Sequence, residues 1–304
     1  MQEKLVVVGN GMAGIRTVEE LLKLAPEKYA ITVFGAEPHV NYNRILLSPV
    51  LSGEKKFADI VLNDDAWYAD HGIALHKGKE IVSIDRRDRK VAAKDGTEAS
   101  YDRLLLATGS NPFLLPVPGK DLPGVIGFRD LADVESMLAA AGKYRHAVVI
   151  GGGLLGLEAA NGLMKQGMKV TVVHLPDILM ERQLDQAAAR MLKKELESRG
   201  LQFIFKGVTK EIFGKGRVQG VHLEGGQELT ADLVVMAVGI RPNIDLAKKA
   251  GLYCERGVVV NDTMQTYYPR AYAVGECVQH RGRTYGLVAP LFEQARVCAN
   301  HLEH

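Results

Sequence analysis

The sequence predicts an α/β fold with two doubly wound parallel sheets, one in each of two domains. Its 304 residues match two domains of about 150 residues each. Short apolar runs alternate with amphipathic helical stretches, which is the pattern of βαβ units. One strand, glycine loop, helix and strand unit occurs twice, with first glycines at Gly9 and Gly151. The distance along the chain from Gly9 to Gly151 is much longer than a solenoid repeat, so it indicates that whole domains are repeated.

The first unit begins with an apolar strand at residues 5–8. After a glycine-rich turn, Ile15, Val18 and Leu22 recur at the spacing of one helix face. A second strand follows at residues 31–34, so the segment predicts one complete βαβ unit.

The second unit repeats this order, with a strand at residues 147–150, a helix ending near Gln166 and a strand at residues 170–173. Each unit closes with an apolar strand and a small-residue turn, at residues 104–109 and 233–239. Proline follows both turns, which predicts that the chain crosses between domains at these two points.

The second domain is therefore expected to be inserted in the first. The tail after the second crossing has strand patterns at residues 257–260 and 271–276, and it is too short for a third domain. We expect it to complete the first sheet. The predicted ranges are 1–112 and 241–301 for the two parts of the first domain, 113–240 for the second domain, and 302–304 for residues that resemble a purification-tag scar.

Composition and charge exclude several classes of protein. The net charge is only +2, so the chain lacks the excess of positive charge that favours binding to nucleic acid or to a membrane surface. No apolar run approaches the roughly 20 residues that span a bilayer, and no signal peptide precedes the first strand. The three cysteines, Cys254, Cys277 and Cys298, include no close pair, which excludes a disulfide-stapled fold and a clustered zinc site. We expect a cytoplasmic protein that binds no metal through its own residues.

Two loops carry the GxGxxG pattern, at residues 9–14 and 151–156, each between a strand and a helix. In this context the first glycine makes a tight turn and the second lets the backbone approach a pyrophosphate. The third lets helix and strand pack closely, and the helix N-terminus attracts the phosphates. The pair predicts two dinucleotide sites, against the alternative that the glycines serve only as packing turns.

An acidic residue about 20 positions after each loop should hold a ribose hydroxyl. Glu37 has this place after the first loop, whereas His174 and the nearby Asp177 stand after the second. No Arg or Lys occurs from His174 to Glu181 to neutralise a 2′-phosphate, which favours NADH over NADPH. The alternative for His174 is a partly exposed histidine at a strand end.

Two dinucleotide sites in one chain are typical of a protein that binds a flavin in one and a nicotinamide in the other. Over essentially its whole length the chain resembles the FAD-dependent pyridine nucleotide reductases, whose fold is glutathione reductase-like. The motifs shared besides the glycine loops are ATG at residues 107–109, VGIRPN at 238–243 and YAVGE at 272–276.

Longer runs resemble the N-terminal FAD/NAD part of the NAD(P)H nitrite reductase large subunit. They are NRILLSPVLSGE at residues 43–54, LMERQLD at 179–185, and GEC, HRG and YGLVAPL between residues 275 and 291. The resemblance implies an NAD(P)H-dependent flavoprotein that passes hydride from NADH to FAD. Electrons would then leave for iron–sulfur and sirohaem centres in domains outside this sequence, or for a small electron-transfer protein.

Taken with the glycine loops, the resemblance implies two sets of cofactor residues. The FAD set is Gly9, Gly11, Met12, Ala13, Gly14, Ala36, Glu37, Arg44, Val82, Ala107, Thr108, Gly109, Arg129, Gly275, Glu276, Pro290 and Leu291. The NAD set is Gly151, Gly153, Leu154, Leu155, Gly156, His174, Asp177 and Gly239.

Several of these roles rest on the resemblance alone. It places Arg44 and Arg129 at FAD and the backbone of Val82 near the adenine. Glu276 stands where the family has an aspartate that holds the FAD ribityl chain. Pro290 and Leu291 open the last helix beside the flavin pyrimidine edge, where the helix dipole favours negative charge. The alternative for Pro290 is an ordinary proline at the first position of a helix.

The catalytic candidate is Glu158, which matches a family glutamate near the nicotinamide. Its usual lysine partner corresponds to Pro49 here, so that pair is absent. The alternative for Glu158 is a solvated acid in the first turn of a helix.

Thiol chemistry is excluded, because residues 43–53 contain no cysteine beside the flavin and a thiolate is the required nucleophile. Cys277, Cys254 and Cys298 are interpreted as packing residues. The expected protein is therefore an FAD/NAD fragment of a nitrite reductase. The alternatives are a stand-alone rubredoxin or ferredoxin reductase and a non-catalytic NAD/FAD-binding regulatory module.

Overall fold

The computed structural model describes residues 2–304, which divide into two compact units. Unit 1 holds the described residues up to Asn43 together with Val61–Asn111 and Ile240–His304. Unit 2 holds Arg44–Ile60 and Pro112–Gly239. The predicted fold class is confirmed, because each unit is built on a five-stranded parallel sheet with helices.

Eight helices and 23 strands make up the described chain. The helices are α1 (Met12–Leu24), α2 (Leu47–Leu51), α3 (Asp65–Asp70), α4 (Leu131–Ala141), α5 (Leu154–Lys165), α6 (Gln186–Ser198), α7 (Asp245–Lys249) and α8 (Val288–Glu303), with short 3₁₀ turns at Arg44–Leu46 and Phe57–Ile60. The strands are β1 (Glu3–Val8), β2 (Tyr29–Phe34), β3 (Asn41–Tyr42), β4 (Val61–Asn63), β5 (Ala74–His76), β6 (Ile81–Asp85), β7 (Lys90–Ala93), β8 (Glu98–Ser100), β9 (Arg103–Leu106), β10 (Ser110–Pro112), β11 (Val125–Ile126), β12 (His146–Ile150), β13 (Lys169–His174), β14 (Gln202–Phe205), β15 (Thr209–Phe213), β16 (Gly220–Leu223), β17 (Glu228–Thr230), β18 (Leu233–Met236), β19 (Ile240–Pro242), β20 (Val258–Val260), β21 (Ala271–Ala273), β22 (Val278–His280) and β23 (Arg283–Thr284).

The parallel sheet of unit 1 has the strand order β21-β9-β1-β2-β5. Val8 pairs with Phe34 on one side and with Leu106 on the other, and Ala273 pairs with Leu106. The carboxyl ends of four strands therefore meet at one edge of the sheet, which is where doubly wound folds bind ligands. The strands are apolar almost throughout, as is typical of parallel sheets that are buried on both faces.

The tail of unit 1 matches its prediction in part. β21 joins the parallel sheet beside β9, as expected. β20 does not, because it pairs with β22 in a separate small sheet that β23 completes. The last helix, α8, packs against α1 and continues through Leu302, which is 1% exposed. The Tyr29 hydroxyl donates to the Leu302 carbonyl at 2.8 Å, so residues 302 and 303 belong to the folded helix.

The parallel sheet of unit 2 has the order β11-β18-β12-β13-β14. Its registers repeat those of unit 1, since Ile150 pairs with Val173 on one side and with Met236 on the other. An antiparallel sheet of β15, β16 and β17 follows the parallel strands, just as β6, β7 and β8 do in unit 1.

Arg44–Ile60 belongs to unit 2, whereas the predicted first domain of residues 1–112 included it. The segment is held by its packing on α5. Leu51 is fully buried, and a side chain at Gly162 would lie 2.6 Å from it. The Gln166 amide donates to the Leu51 carbonyl at 2.9 Å, and Lys165 pairs with Glu54.

No helix within residues 2–304 is both long enough and apolar enough to cross a membrane.

Candidate functional site

The first glycine loop joins β1 to α1, as predicted. Gly9 has a φ of 120°, and a Cβ placed on it would lie 2.1 Å from the carbonyl oxygen of Ala107. A Cβ on Gly14 would lie 2.7 Å from the Gly9 carbonyl oxygen. A Cβ on Gly11 would meet no atom within 4 Å. The first and third glycines are thus required by the fold, whereas the second borders open space.

The second loop joins β12 to α5 with the same division of roles. Gly151 has a φ of 118°, and its added Cβ would lie 2.3 Å from the Ala237 carbonyl oxygen. A Cβ on Gly156 would lie 2.0 Å from the Gly151 carbonyl oxygen, and a Cβ on Gly153 would meet nothing within 4 Å. The two repeated units therefore build the same loop geometry, each with one open glycine.

The helices that leave these loops lack side-chain caps. Asp130 caps α4 and Asp185 caps α6, each accepting a hydrogen bond from a backbone N–H in the first turn. In α1 and α5 the capping residues are Gly11 and Gly153, which offer no side-chain oxygen, and neither first turn contains an acid. Their first N–H groups therefore have no side-chain acceptor in the described chain, which suits an anionic ligand. The residues present fit a pyrophosphate at both loops.

The predicted ribose acid of the first site, Glu37, follows the end of β2. The Tyr42 hydroxyl donates to its Oε2 at 2.6 Å, which fixes one side of the carboxylate. The neighbouring Ala36 is exposed at the surface of unit 1. Val82, predicted near the adenine, lies in β6 and is 41% exposed, which is unusual for valine in a strand.

The ends of β9 and β21 bring a second group of predicted FAD residues together. Thr108 donates to the Asn243 carbonyl at 2.7 Å, and Ser110 donates to Glu276 Oε2 at 2.9 Å. A Cβ on Gly275 would lie 3.0 Å from the Ala13 side chain at the start of α1. Glu276 is thus held beside the strand ends.

The last helix begins two residues earlier than predicted, at Val288, so Pro290 and Leu291 are its third and fourth residues. Proline is tolerated there because the N–H groups of a first turn have no partner within the helix. Like α1 and α5, α8 has no side-chain cap and no acid in its first turn.

Gln294 is a residue of this region that sequence reasoning missed. It is buried on α8, and its Oε1 accepts the Gly275 N–H at 2.8 Å. Its Nε2 makes no hydrogen bond to any of residues 2–304. The sequence feature that could have indicated Gln294 is its place as a polar residue on the otherwise apolar buried face of α8, between Leu291 and Cys298.

Arg44 and Arg129, also predicted at FAD, lie in unit 2, unlike the rest of that set. Arg44 donates to the Arg129 carbonyl at 3.1 Å. The Arg129 N–H in turn donates to Asp133 at 2.6 Å, and burial raises the pKa of that carboxyl. The two arginines are therefore neighbours in unit 2, and their predicted contact with FAD stays a prediction.

Glu158 lies in the second turn of α5, past the exposed side chains of Leu154 and Leu155. The Ser48 hydroxyl of α2 donates to its Oε2 at 2.6 Å, and burial raises the pKa of the Glu158 carboxyl. It is half-buried and lies past the first turn, so it differs from the solvated first-turn acid of the alternative interpretation. The lysine position of the family corresponds to Pro49, and the partner of Glu158 in this structure is the serine immediately before it.

We expect Glu158→Gln to gain stability relative to the wild type as the pH rises. Because burial raises the folded-state pKa, Glu158 stabilises the protein below its ordinary pKa and loses this contribution as the pH rises through the raised value. Glutamine keeps the Ser48 hydrogen bond and cannot ionise. Urea unfolding from about pH 4 to pH 7 measures the difference in free energy.

Glu224→Gln, at an exposed position in the same unit, provides the control for replacing a glutamate by glutamine. A difference between Glu158→Gln and the wild type that stays constant with pH would contradict the prediction.

The remaining NAD residues are distributed around the second loop. His174 is buried at the end of β13, and both of its ring nitrogens already bond within unit 2, to Gly152 and to Glu181. It is not the partly exposed histidine of the alternative interpretation. Asp177 is exposed, and Gly239 has a φ of 119° with open space where a Cβ would lie.

The cysteines lie where packing residues are expected. Cys277 and Cys298 are fully buried, and burial raises the pKa of both thiols. Cys254 is partly buried and its thiol pKa is also raised. Raised pKa values leave these thiols poor nucleophiles. Residues 2–304 hold no group of three or more His, Cys, Asp or Glu side chains arranged for a metal ion.

Two curated relatives from Bacillus subtilis (strain 168) cover 99% of the chain. One, named nitrite reductase [NAD(P)H], is 53% identical over 301 residues, and the chain spans 37% of its length. The other, named assimilatory nitrate reductase electron transfer subunit, is 50% identical, and the chain spans 39% of it. The chain thus spans less than two fifths of either relative.

Among solved structures, a ferredoxin reductase from Rhodopseudomonas palustris superposes with a TM-score of 0.92 at 30% identity. The match covers all of this chain and 76% of that one. The family model described as pyridine nucleotide-disulphide oxidoreductase matches residues 3–299. The protein belongs to the pyridine nucleotide-disulphide oxidoreductase family.

Proposed function

We propose that the protein is an FAD-dependent NADH oxidoreductase that supplies electrons to the metal centres of an assimilatory nitrite reductase. The observation that carries the proposal is the pair of glycine loops, each with one open glycine and an uncapped helix. The relatives named nitrite reductase [NAD(P)H] and electron transfer subunit support the direction of electron flow.

The loop of unit 1 holds the pyrophosphate of FAD, with Gly11 at the point of closest approach and the first N–H groups of α1 as donors. Glu37 accepts from the adenosine ribose, and Glu276 accepts from the ribityl chain. Tyr42 and Ser110 hold these two carboxylates in place.

The loop of unit 2 holds the pyrophosphate of NADH against Gly153 and α5. Bound FAD accepts two electrons as hydride and can release them singly to an iron–sulfur or haem-type acceptor. The protein contributes position and electrostatics, and no side chain is required as a nucleophile. Glu158 borders the nicotinamide, and Ser48 fixes its carboxyl.

An anaerobic titration tests the proposal. The purified protein should absorb as a flavoprotein, and NADH should bleach this absorbance rapidly, with NADPH acting more slowly. Bound flavin that neither nucleotide reduces would contradict an oxidoreductase and favour the regulatory module. A preparation that retains no flavin after reconstitution with FAD would contradict the first site.

A second candidate is a reductase of a small iron–sulfur protein, favoured by the superposition on a ferredoxin reductase. Once reduced by NADH, the protein can be mixed with ferredoxin, with rubredoxin and with a separately prepared sirohaem domain of a nitrite reductase. Rapid electron transfer to the sirohaem domain alone supports the first proposal, and transfer to a ferredoxin or rubredoxin alone supports the second.

A further inference from the structure

The loop after β13 returns to the second glycine loop and is fixed there. The Met180 N–H donates to the Gly152 carbonyl at 3.0 Å, and the N–H groups of Gln183 and Leu184 both donate to the Met180 carbonyl. Leu179 is 1% exposed, and a Cβ placed on Gly152 would lie 2.9 Å from its side chain. The loop therefore lies directly on the glycine that precedes Gly153.

Met180 has a φ of 51°, the left-handed region that a non-glycine residue seldom adopts. Such conformations persist only where the surroundings hold them, and they cluster at functional sites. Here the turn is stabilised by the burial of Leu179 and by the backbone hydrogen bonds of Met180. The turn changes the direction of the chain immediately before Glu181.

His174 then fixes the Glu181 side chain. The Gly152 N–H donates to His174 Nδ1 at 2.9 Å, so Nδ1 carries no proton. The proton is on Nε2, which donates to Glu181 Oε2 at 3.2 Å. Because the ring is buried and cannot turn without breaking both bonds, the carboxylate of Glu181 is anchored beside the glycine loop.

We propose that Glu181, positioned by His174, accepts a hydroxyl of the adenosine ribose of NADH and selects NADH against NADPH. The proposal rests on the function proposed above for the second loop. The Glu181 side chain is 38% exposed, and the contact with His174 is made by its Oε2. A carboxylate accepts hydrogen bonds from a ribose diol, whereas it repels a 2′-phosphate.

The acidic residue that binds the ribose is thus further along the chain than its usual position at the strand end. The usual position at the strand end carries His174, which orients a glutamate seven residues later instead of meeting the ribose itself. His174 is a positioning residue in this scheme, and Glu181 is the residue that determines specificity.

Calorimetric titration with ADP-ribose and with 2′-phospho-ADP-ribose tests this on the flavin-loaded chain of 304 residues. These probes carry the adenosine half alone, so binding is measured apart from hydride transfer. The wild type should bind ADP-ribose at least about tenfold more tightly than its 2′-phosphate. Glu181→Gln should weaken ADP-ribose binding about tenfold and reduce that preference by a similar factor. The matched control, Glu224→Gln, should change neither.

His174→Gln supplies a second readout. If the histidine acts through Glu181, the double variant should bind ADP-ribose no more weakly than Glu181→Gln alone. Unchanged selectivity in Glu181→Gln would overturn the proposal, and so would a wild type that binds neither probe. If the wild type binds ADP-ribose selectively and Glu181→Gln loses that preference, but NADH cannot reduce the flavin, the assignment of Glu181 would be supported and the proposed oxidoreductase contradicted.

Discussion

Gly153→Asp is expected to abolish reduction of the flavin by NADH while leaving the protein folded. Gly153 has a φ of −82° and a ψ of −176°, and Asp185, which caps α6, has nearly the same values of −75° and 174°. An aspartate therefore fits the backbone at residue 153, and there is open space for its side chain. It would cap α5 and place a negative charge where the pyrophosphate is proposed to bind.

The expected loss in NADH affinity is at least about 100-fold, because the carboxylate repels the phosphates and takes an N–H that they need. The helix cap should raise the free energy of unfolding by a few tenths of a kcal/mol. Stopped-flow reduction by NADH and urea unfolding measure the two effects.

Gly153→Ala and Gly153→Asn separate the causes of the loss. Alanine adds a methyl group alone, whereas asparagine caps the helix without a charge, so the effect on NADH should increase from Ala to Asn to Asp. Full activity in Gly153→Asp would place the nicotinamide cofactor elsewhere on the chain.

Gly156→Ala is expected to destabilise unit 2 by about 3 kcal/mol, the upper range for overpacking. Its Cβ would lie 2.0 Å from the Gly151 carbonyl oxygen, which is backbone and can move only with the loop. Because the loop would shift, NADH binding should fall together with stability. Urea unfolding gives the magnitude, and flavin absorbance reports whether unit 1 stays folded.

Gly142→Ala is the matched control. Gly142 has a helical φ of −69°, and its Cβ would meet nothing closer than 3.7 Å. Alanine there should stabilise the protein by about 0.5 kcal/mol, because it restricts the unfolded chain. Equal stabilities for the Gly156→Ala and Gly142→Ala variants would mean that the close approach at Gly156 is not a constraint on this fold.

The glycine loops could be predicted from the sequence because each glycine acts locally. A strand, a tight turn and a helix within a few residues determine the roles of Gly9 and Gly151, and both have the left-handed φ that these turns require. Glu37 follows the end of β2 at the spacing expected after the first glycine loop, whereas the role predicted for Glu276 came from the family resemblance.

The remaining details depend on contacts between distant residues. The placement of Arg44–Ile60 with unit 2 depends on how Leu51 packs against Gly162, which no local pattern indicates. Glu181 was part of a recognised sequence run, but its return to the loop depends on a left-handed Met180. Methionine gives no sequence signal for that conformation, unlike glycine.

The position of β21 in the unit 1 sheet has a consequence for synthesis on the ribosome. β21 pairs with β9, yet 165 residues separate Leu106, the end of β9, from Ala271, the start of β21. At a synthesis rate of about 5–20 residues per second, the edge of β9 remains unpaired for roughly 8 to 30 s until β21 has been made. The whole of residues 112–239 is made in that interval, so the domain that starts second is the first able to complete its sheet.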